Sequence, residues 1–506
     1  MRNVRISNRI LNATMSDELL DAAIRIADRL CSEAIWSGDQ ATWLGDCREN
    51  VTGEWEVVHR SLHGDVYGGT AGIAVFLSRL WNVVGDDRLE RAARGALAYA
   101  VEWCRLTRPT ASLYSGSAGV ACALAEAGST FGDTKLADVA RDVAQAAIER
   151  LPSANDLISG RAGAITALLY LGQSLDLPEA REAAREMGDG LSAAAQRTSE
   201  EGISWASENS SSEPALCGFA HGASGMSYAF NMLASQTGDA TYRDLAADAA
   251  IYERSWYQRD QGNWPDLREF SRSKLLKGEV PPFPVLWCHG AIGIGLVRMS
   301  QYEATSQLIY AAEAGAALQA AIKHLASLLS GGPIVDSSLC HGLAGIAELL
   351  LEGGRVFDEA SLVSMGRECA RVLAESGVAG EWPSGVPGGG ENPSLMLGMA
   401  GTGLVLLRAS QEGIAPAGLL YAVSMEPQRL IVQLNGDMAA DQVRDSISGL
   451  NDLIDGSQIE RVSRRGRVLL RVPKSTEVQT VLQTLNALPY VEYAEADVTD
   501  QAQDTN

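Results

Sequence analysis

A chain of 506 residues, 46% of them hydrophobic, is too long for one ordinary core and has material for a large repetitive domain or several smaller ones. Its 41 basic and 63 acidic side chains leave a formal charge of −22, which disfavours nucleic acid and anionic lipid as partners and serves solubility first. No apolar run is long enough to span a bilayer, the N-terminus lacks a signal core, and eight dispersed cysteines suit thiols, metal ligands or core packing better than a disulfide framework, so a cytoplasmic protein is expected.

Residues 1–60, which contain "WSGDQATWLGD", are expected to form a helical entry segment. From residue 61 onward a pair of glycines three apart recurs seven times: Gly69/Gly72, Gly116/Gly119, Gly160/Gly163, Gly222/Gly225, Gly290/Gly293, Gly342/Gly345 and Gly398/Gly401. Each pair opens an apolar stretch of helical character such as "AGIAVFLSRL". A second amphipathic stretch comes next, as in "DDRLERAARGALAYAVEWC", long enough to bring the chain back antiparallel. One unit is therefore a helical hairpin. Seven hairpins bury their inner helices only against one another, and closure into a ring removes the two bare ends of an open array. The predicted fold is mainly α, an α/α toroid of seven helical hairpins over residues 61–415, with seven similar loops converging on one central cavity. The competing arrangement is an open solenoid whose glycines only cap helices.

The chemistry falls on those loops. Of six histidines, His221, His289 and His341 stand directly before a repeat glycine; His63 lies six residues before Gly69, and His59 and His324 have no motif context. Cys288 and Cys340 occupy the same position of two successive units. Neighbouring loops of a ring would bring two thiolates and one or two imidazoles together, a ligand set that selects zinc in a reducing compartment. Two buried free cysteines beside capping histidines are the plainer alternative. With His289 included the site is a closed Cys2His2 structural zinc; with only Cys288, Cys340 and His341 a fourth position stays open. An open site with two thiolate ligands would keep a bound substrate sulfur nucleophilic, which points to carbon–sulfur bond formation rather than hydrolysis.

The stretches "WCHGAIGIGLVRM", "SSLCHGLAGIAELLL", "NDLISGRAGAI", "GFAHGASGM" and "PSLMLGMAGTGLVLLR" resemble the motifs of the lanthionine synthetase C-like family, zinc-dependent cyclases of lanthipeptide biosynthesis, and stand in the family's order along the chain. The resemblance spans about residues 15 to 415. It implies the toroid, and it implies one Zn2+ on Cys288, Cys340 and His341, with His289 outside the ligand set. It also implies the reaction: addition of a peptide cysteine thiolate to dehydroalanine or dehydrobutyrine, closing a lanthionine or methyllanthionine ring. The family's acid/base histidine falls on His221 and its aspartate on Asp156, with His289 a third candidate for proton work. Without the resemblance, Asp156 reads first as an ordinary helix N-cap, and His221 equally as a satisfied core histidine or a catalytic one. Standalone relatives often carry an arginine four residues before the first zinc cysteine, where this chain has Pro284. Its "WCHG" and "SLCHG" look closer to the cyclase domains of bifunctional synthetases, yet only about sixty residues precede the first repeat. The expected partners are thus a dehydrated precursor peptide and a separate dehydratase. Addition of a small thiol such as glutathione is a further possibility.

After "GIAPAGLLYAVS", which has the composition of a linker, residues 425–500 alternate as a βαββαβ module, a small α+β ferredoxin-like domain. Its ending, "LPYVEYAEADV", is similar to the propeptides of subtilisin-like proteases, against a generic docking module as the alternative. Residues 501–506 are expected to form a disordered tail. Two functions are open: the cyclase, or a non-catalytic zinc-stabilised scaffold whose C-terminal domain binds or restrains a subtilisin-like protease.

Overall fold

The structure, a computed structural model, describes residues 2–51, 54–198, 202–206, 214–330, 335–376, 382–423, 428–435, 458–462, 466–472 and 478–496. It opens with α1 (Arg2–Glu33), then two antiparallel hairpins: β1 (Ile35–Ser37) with β2 (Gln40–Thr42), and β3 (Leu44–Val51) with β4 (Glu54–Ser61). The entry segment is thus helix followed by strands, where the sequence suggests helix alone. Seven inner helices begin at the seven glycine pairs. Inner and outer helices then alternate: α2 (Thr70–Val84) and α3 (Asp87–Thr107), α4 (Ser117–Phe131) and α5 (Thr134–Ile148), α6 (Arg161–Ser174) and α7 (Pro178–Ala193). A short hairpin of β5 (Gln196–Thr198) and β6 (Gly202–Ser204) precedes α8 (Ala223–Thr237) and α9 (Ala240–Ser255). The short α10 (Arg272–Leu276) leads to α11 (Ala291–Thr305) and α12 (Leu308–Ser330), α13 (Leu343–Val356) and α14 (Ala360–Ser376), and finally α15 (Met399–Ser410).

The inner helices α2, α4, α6, α8, α11, α13 and α15 each pack on the next, and α15 packs back on α2. The ring is closed. Inner helices are buried around most of their circumference because each meets two inner neighbours, an outer partner and the axis; outer helices are buried along one stripe, in α3 at Leu89, Ala92, Ala93, Ala96, Leu97 and Ala100. Three hairpin turns use the same dipeptide. Gly85, Gly132 and Gly238 end their helices at φ of 67°, 64° and 73°, and the next residues, Asp86, Asp133 and Asp239, accept the backbone N–H of Arg88, Lys135 and Thr241 to begin the outer helices.

Two features depart from the sequence expectation. The seventh glycine pair is not followed by its own outer helix: α1 lies against α15, presenting Leu19, Ala22, Ala23, Ile26, Ala27 and Leu30, so the two ends of the domain complete the last hairpin together. Likewise the supposed linker belongs to the ring. Ala417, Leu419, Leu420, Tyr421 and Val423 are buried in the main core, the Arg79 guanidinium donates to Ala415 O, and the Tyr421 ring lies 4.8 Å from Tyr170. Arg79 and Tyr170 stand late in α2 and α6, so this segment straps the end of the ring away from the glycine loops.

The C-terminal module has strands β7 (Gln428–Leu434), β8 (Gln458–Val462), β9 (Arg467–Val472) and β10 (Val491–Ala496), with α16 (Val478–Asn486) between the last two. All pairings are antiparallel, in the order β10-β7-β9-β8, which is the ferredoxin-like arrangement. Alternate residues Leu430, Val432 and Leu434 face Val468, Leu470 and Val472 in a separate core that Leu485 of α16 joins. The first helix expected in this module, over "AADQVRDSISGL", and the tail lie outside the described residues. Among the described residues no helix is long and apolar enough to cross a membrane.

Candidate metal centre

Two residues before the first glycine of each pair stand Tyr67, Tyr114, Ile158, Ala220, Cys288, Cys340 and Met396. Their carbonyls carry a closed belt of hydrogen bonds. Tyr67 N–H donates to Tyr114 O at 2.9 Å, Ser115 N–H to Ile158 O at 3.1 Å, Leu157 N–H to Ala220 O at 3.0 Å and Ala220 N–H to Cys288 O at 3.1 Å. Trp287 N–H then donates to Cys340 O at 2.9 Å, Cys340 N–H to Met396 O at 2.9 Å, and Met396 N–H to Tyr67 O at 3.0 Å. Every loop is therefore located by both neighbours. The second glycine of each pair lets its loop fold onto the first helical turn: an added Cβ would stand 1.7 Å from the Leu113 carbonyl at Gly119 and 2.5 Å from the Leu339 carbonyl at Gly345.

The axis below the belt is packed, not hollow. Tyr114 and Trp287 come from the second and fifth units, far apart in a seven-membered ring, yet their rings are 5.2 Å apart, and Phe219 packs on Trp287 at 5.1 Å. Trp287 is fully buried and its indole N–H donates to Gly418 O of the strap at 2.9 Å. The expected central cavity is thus a floor of aromatic side chains, with the polar groups of the loops gathered above it.

On this frame Cys288, Cys340 and His341 bring their ligand atoms within 4.8 Å of one another. His341 Nδ1 lies 2.9 Å from Gly385 O; a carbonyl only accepts, so Nδ1 carries a proton and Nε2 is the nitrogen left to serve as a metal ligand. The Tyr67 hydroxyl donates to Cys340 Sγ at 3.2 Å. Hydrogen bonding with Cys340, then burial, pushes the Cys288 thiol well above its usual range. Burial lowers the His341 imidazole, but the Cys288 sulfur outweighs it and brings His341 up to about 9. Two sulfurs and one imidazole of fixed tautomer, all tied into the belt or to its loops, fit a soft divalent metal ion.

The proposed acid/base residues lie in the two preceding loops. His221 Nδ1 is 2.9 Å from Asp156 Oδ2, and Asp156 Oδ1 accepts the Ser159 N–H at 2.7 Å. Asp156 closes a turn within its own loop but does not cap a helix, the N-cap of α6 being Gly160, and its other oxygen orients His221. Burial raises the Asp156 carboxyl, but the hydrogen bond and charge of His221, together with the Ser159 bonds, hold it below its usual value. The loop of His221 is fixed from outside by Glu253, which accepts the Gly218 N–H at 2.7 Å and pairs with the fully buried Arg298 at 2.8 Å. His289 does not join the metal cluster. It is 1% exposed, its ring stacks on His221 at 6.0 Å, neither ring nitrogen makes a hydrogen bond, and Asp266 Oδ1 stands 4.0 Å from Nδ1. Burial, then the Arg268 guanidinium, pushes it down to about 3. His59 and His63 are exposed, His324 is half-buried on α12, and none of the three joins the cluster.

Sequence reasoning missed Tyr67, Gly385 and Glu253. For Tyr67 the signal is present, since it stands in the same position of its unit as the two cysteines.

Residues 60–419 match the family model described as lanthionine synthetase C-like protein. The chain belongs to the lanthionine synthetase C-like family. Residues 427–497 match a second model, the Fervidolysin N-terminal prodomain. Nisin cyclase is similar in structure, with a TM-score of 0.54 and 19% identity over 71% of this chain and 92% of that one, a likeness of fold. An unsaturated glucuronyl hydrolase from Bacillus sp. GL1 aligns at a TM-score of 0.40 and 15% identity, over 80% of this chain and 98% of that one, too distant to carry an argument. No curated protein matches the chain. As a member of the lanthionine synthetase C-like family, the chain has a cyclase kind of toroid, and its Cys-Cys-His cluster stands on the loop end of the ring.

Proposed function

We propose that this protein closes thioether rings in a dehydrated peptide, adding cysteine sulfur to dehydroalanine or dehydrobutyrine. The observation that carries the reading is the convergence of Cys288, Cys340 and His341 beside the His221–Asp156 pair. Zinc held by the first three would supply a Lewis acid that favours the thiolate form of a substrate cysteine near neutral pH. The rest is the work of the chain. Asp156, held as a carboxylate, is too weak a base for a thiol and serves to fix the His221 tautomer, leaving Nε2 unprotonated. Nε2 accepts the thiol proton; sulfur bonds to the β-carbon as the double-bond pair moves toward the carbonyl; and the proton returns from Nε2 to the α-carbon. His289, sealed from solvent against His221, packs that ring in place. The precursor would arrive already dehydrated.

The test is zinc content and ring closure in one protein. Full-length protein should hold about one zinc and convert a dehydrated, cysteine-containing peptide without a change of mass but with loss of its free thiol; Cys340→Ala should lose both metal and turnover while keeping its helical circular dichroism. Metal retained with no ring closure on any such peptide would favour the scaffold reading instead.

The match of residues 427–497 to a prodomain supports a second role, docking of a subtilisin-like protease on the C-terminal module. Full-length protein should slow such a protease, and a chain ending at residue 424 should not; equal rates with both would remove this partner.

A further inference from the structure

During the proposed reaction three sulfurs would share one metal, two from the protein and one from the substrate. All three are thiolates, and any of them can add to a dehydrated residue. A protein sulfur that did so would end as a dead thioether: its bond to the metal is lost, a bond from Sγ to the β-carbon forms, and the α-carbon takes up a proton. Something must make the ligand sulfurs worse nucleophiles than the substrate's.

The repeat pattern shows where one such device sits. Tyr67, Cys288 and Cys340 occupy the same position in the first, fifth and sixth units. Tyr67 belongs to a loop not adjacent to that of Cys340 in the ring, yet its hydroxyl donates to Cys340 Sγ at 3.2 Å. That reach is built into the frame. Tyr67 O accepts the Met396 N–H at 3.0 Å and Met396 O accepts the Cys340 N–H at 2.9 Å, so the two residues are tied through a single intervening loop. The Tyr67 ring is further held edge-on by Tyr114 at 6.2 Å. Among the described residues no hydroxyl donates to Cys288 in the same way. A hydrogen bond to a coordinating thiolate draws electron density from the sulfur, weakening it both as a nucleophile and as a donor, and leaves the metal more acidic toward its remaining ligands.

We infer that Tyr67 is a positioning residue of the metal centre, whose hydroxyl quiets the Cys340 sulfur so that the incoming thiol, and not this ligand, attacks the dehydrated residue. This inference rests on the proposed metal-dependent cyclase. It adds that the two protein sulfurs are inequivalent and that the inequivalence comes from the first unit of the ring.

The test uses full-length protein loaded with cobalt(II), whose sulfur-to-metal charge-transfer band reports the density on the ligand sulfurs. Tyr67→Phe should move that band to lower energy and raise alkylation of Cys340 by iodoacetamide several-fold, with Cys288 unchanged by peptide mapping. Replacement of Tyr67 by 3-fluorotyrosine, a stronger donor of the same shape, should move the band the other way, which keeps the proposal testable should the phenylalanine variant fold poorly. An unmoved band with both replacements, or equal alkylation of the two cysteines in every variant, overturns the inference while leaving the cyclase standing. Wild-type protein that takes up no cobalt sinks both.

Discussion

Two residues before their first glycine, the fifth and sixth units place Cys288 and Cys340, and the first and second place Tyr67 and Tyr114. All four backbones make the same belt of hydrogen bonds to their neighbours, and all four loops fold onto a helix through a glycine whose Cβ would strike a carbonyl. Apart from Gly290, which enters its helix at φ 90° where Gly69, Gly116 and Gly342 lie between −114° and −122°, the loops differ in the side chain each presents. Frame and chemistry are thus separable here: glycines and backbone amides set where each loop lies, and one or two side chains per loop decide what it does. That separation makes a sharp demand. A change of side chain at these positions should alter turnover and spare stability, whereas a change of glycine should cost stability in any unit, whether or not it carries a functional group.

The largest expected effect is on the chemistry side, at His221. His221→Asn keeps a polar side chain of similar reach toward Asp156 but has no group that can take and return a proton. Ring closure should fall by about 10²- to 10⁴-fold, with zinc content and thermal unfolding close to wild type. A variant that instead loses metal or unfolds early would show that loop chemistry and frame are coupled, and a variant with unchanged turnover would remove His221 from the proton path.

On the frame side the expected effect is smaller and of a different kind. Gly119 lies in the second unit, whose loop carries neither metal ligand nor histidine, yet a Cβ there would stand 1.7 Å from Leu113 O, so backbone must move to admit it. Gly119→Ala should destabilise the ring by about 2 kcal/mol or more despite the better helix propensity of alanine, read by urea unfolding. A loss near zero would mean that the belt tolerates displacement of one loop.

The same separation explains what the sequence discloses. The seven glycine pairs are legible because close backbone approach admits one residue type, and Cys288, Cys340 and His341 because few side chains bind a metal. Asp156 and His221 rest on family resemblance, and the structure brings them within hydrogen-bond distance. Contributions made by backbone leave little trace: Gly385 holds His341 through its carbonyl, and the one mark of it is the glycine itself, where a Cβ would stand 3.0 Å from His341 Nδ1. The identity of the seventh outer helix is hidden for another reason. The stripe Leu19, Ala22, Ala23, Ile26 and Ala27 declares an amphipathic helix but not its partner, which lies nearly four hundred residues away on α15. The strap over residues 413–423 reads as a linker on its Gly, Ala and Pro content, while Leu419, Leu420, Tyr421 and Val423 are the contrary signal. The Gly-Asp turns at residues 85–86, 132–133 and 238–239 are equally visible in the sequence, each a helix stop followed by a helix start.

The smallest effect has the opposite sign and tests whether glycine matters in this ring for where it stands rather than for what it is. Gly315 sits inside α12, an outer helix, and a Cβ added there meets no atom within 4 Å. Here glycine keeps no close contact and only leaves the unfolded chain more freedom. Gly315→Ala should therefore stabilise the protein by about 0.5–1 kcal/mol, with turnover and metal content unchanged. Set against Gly119→Ala, the same substitution in the same ring would give opposite shifts in the urea midpoint. If both alanines destabilised, crowding at the loops would not be what makes the repeat glycines necessary, and the division between a rigid frame and interchangeable side chains would have to be given up.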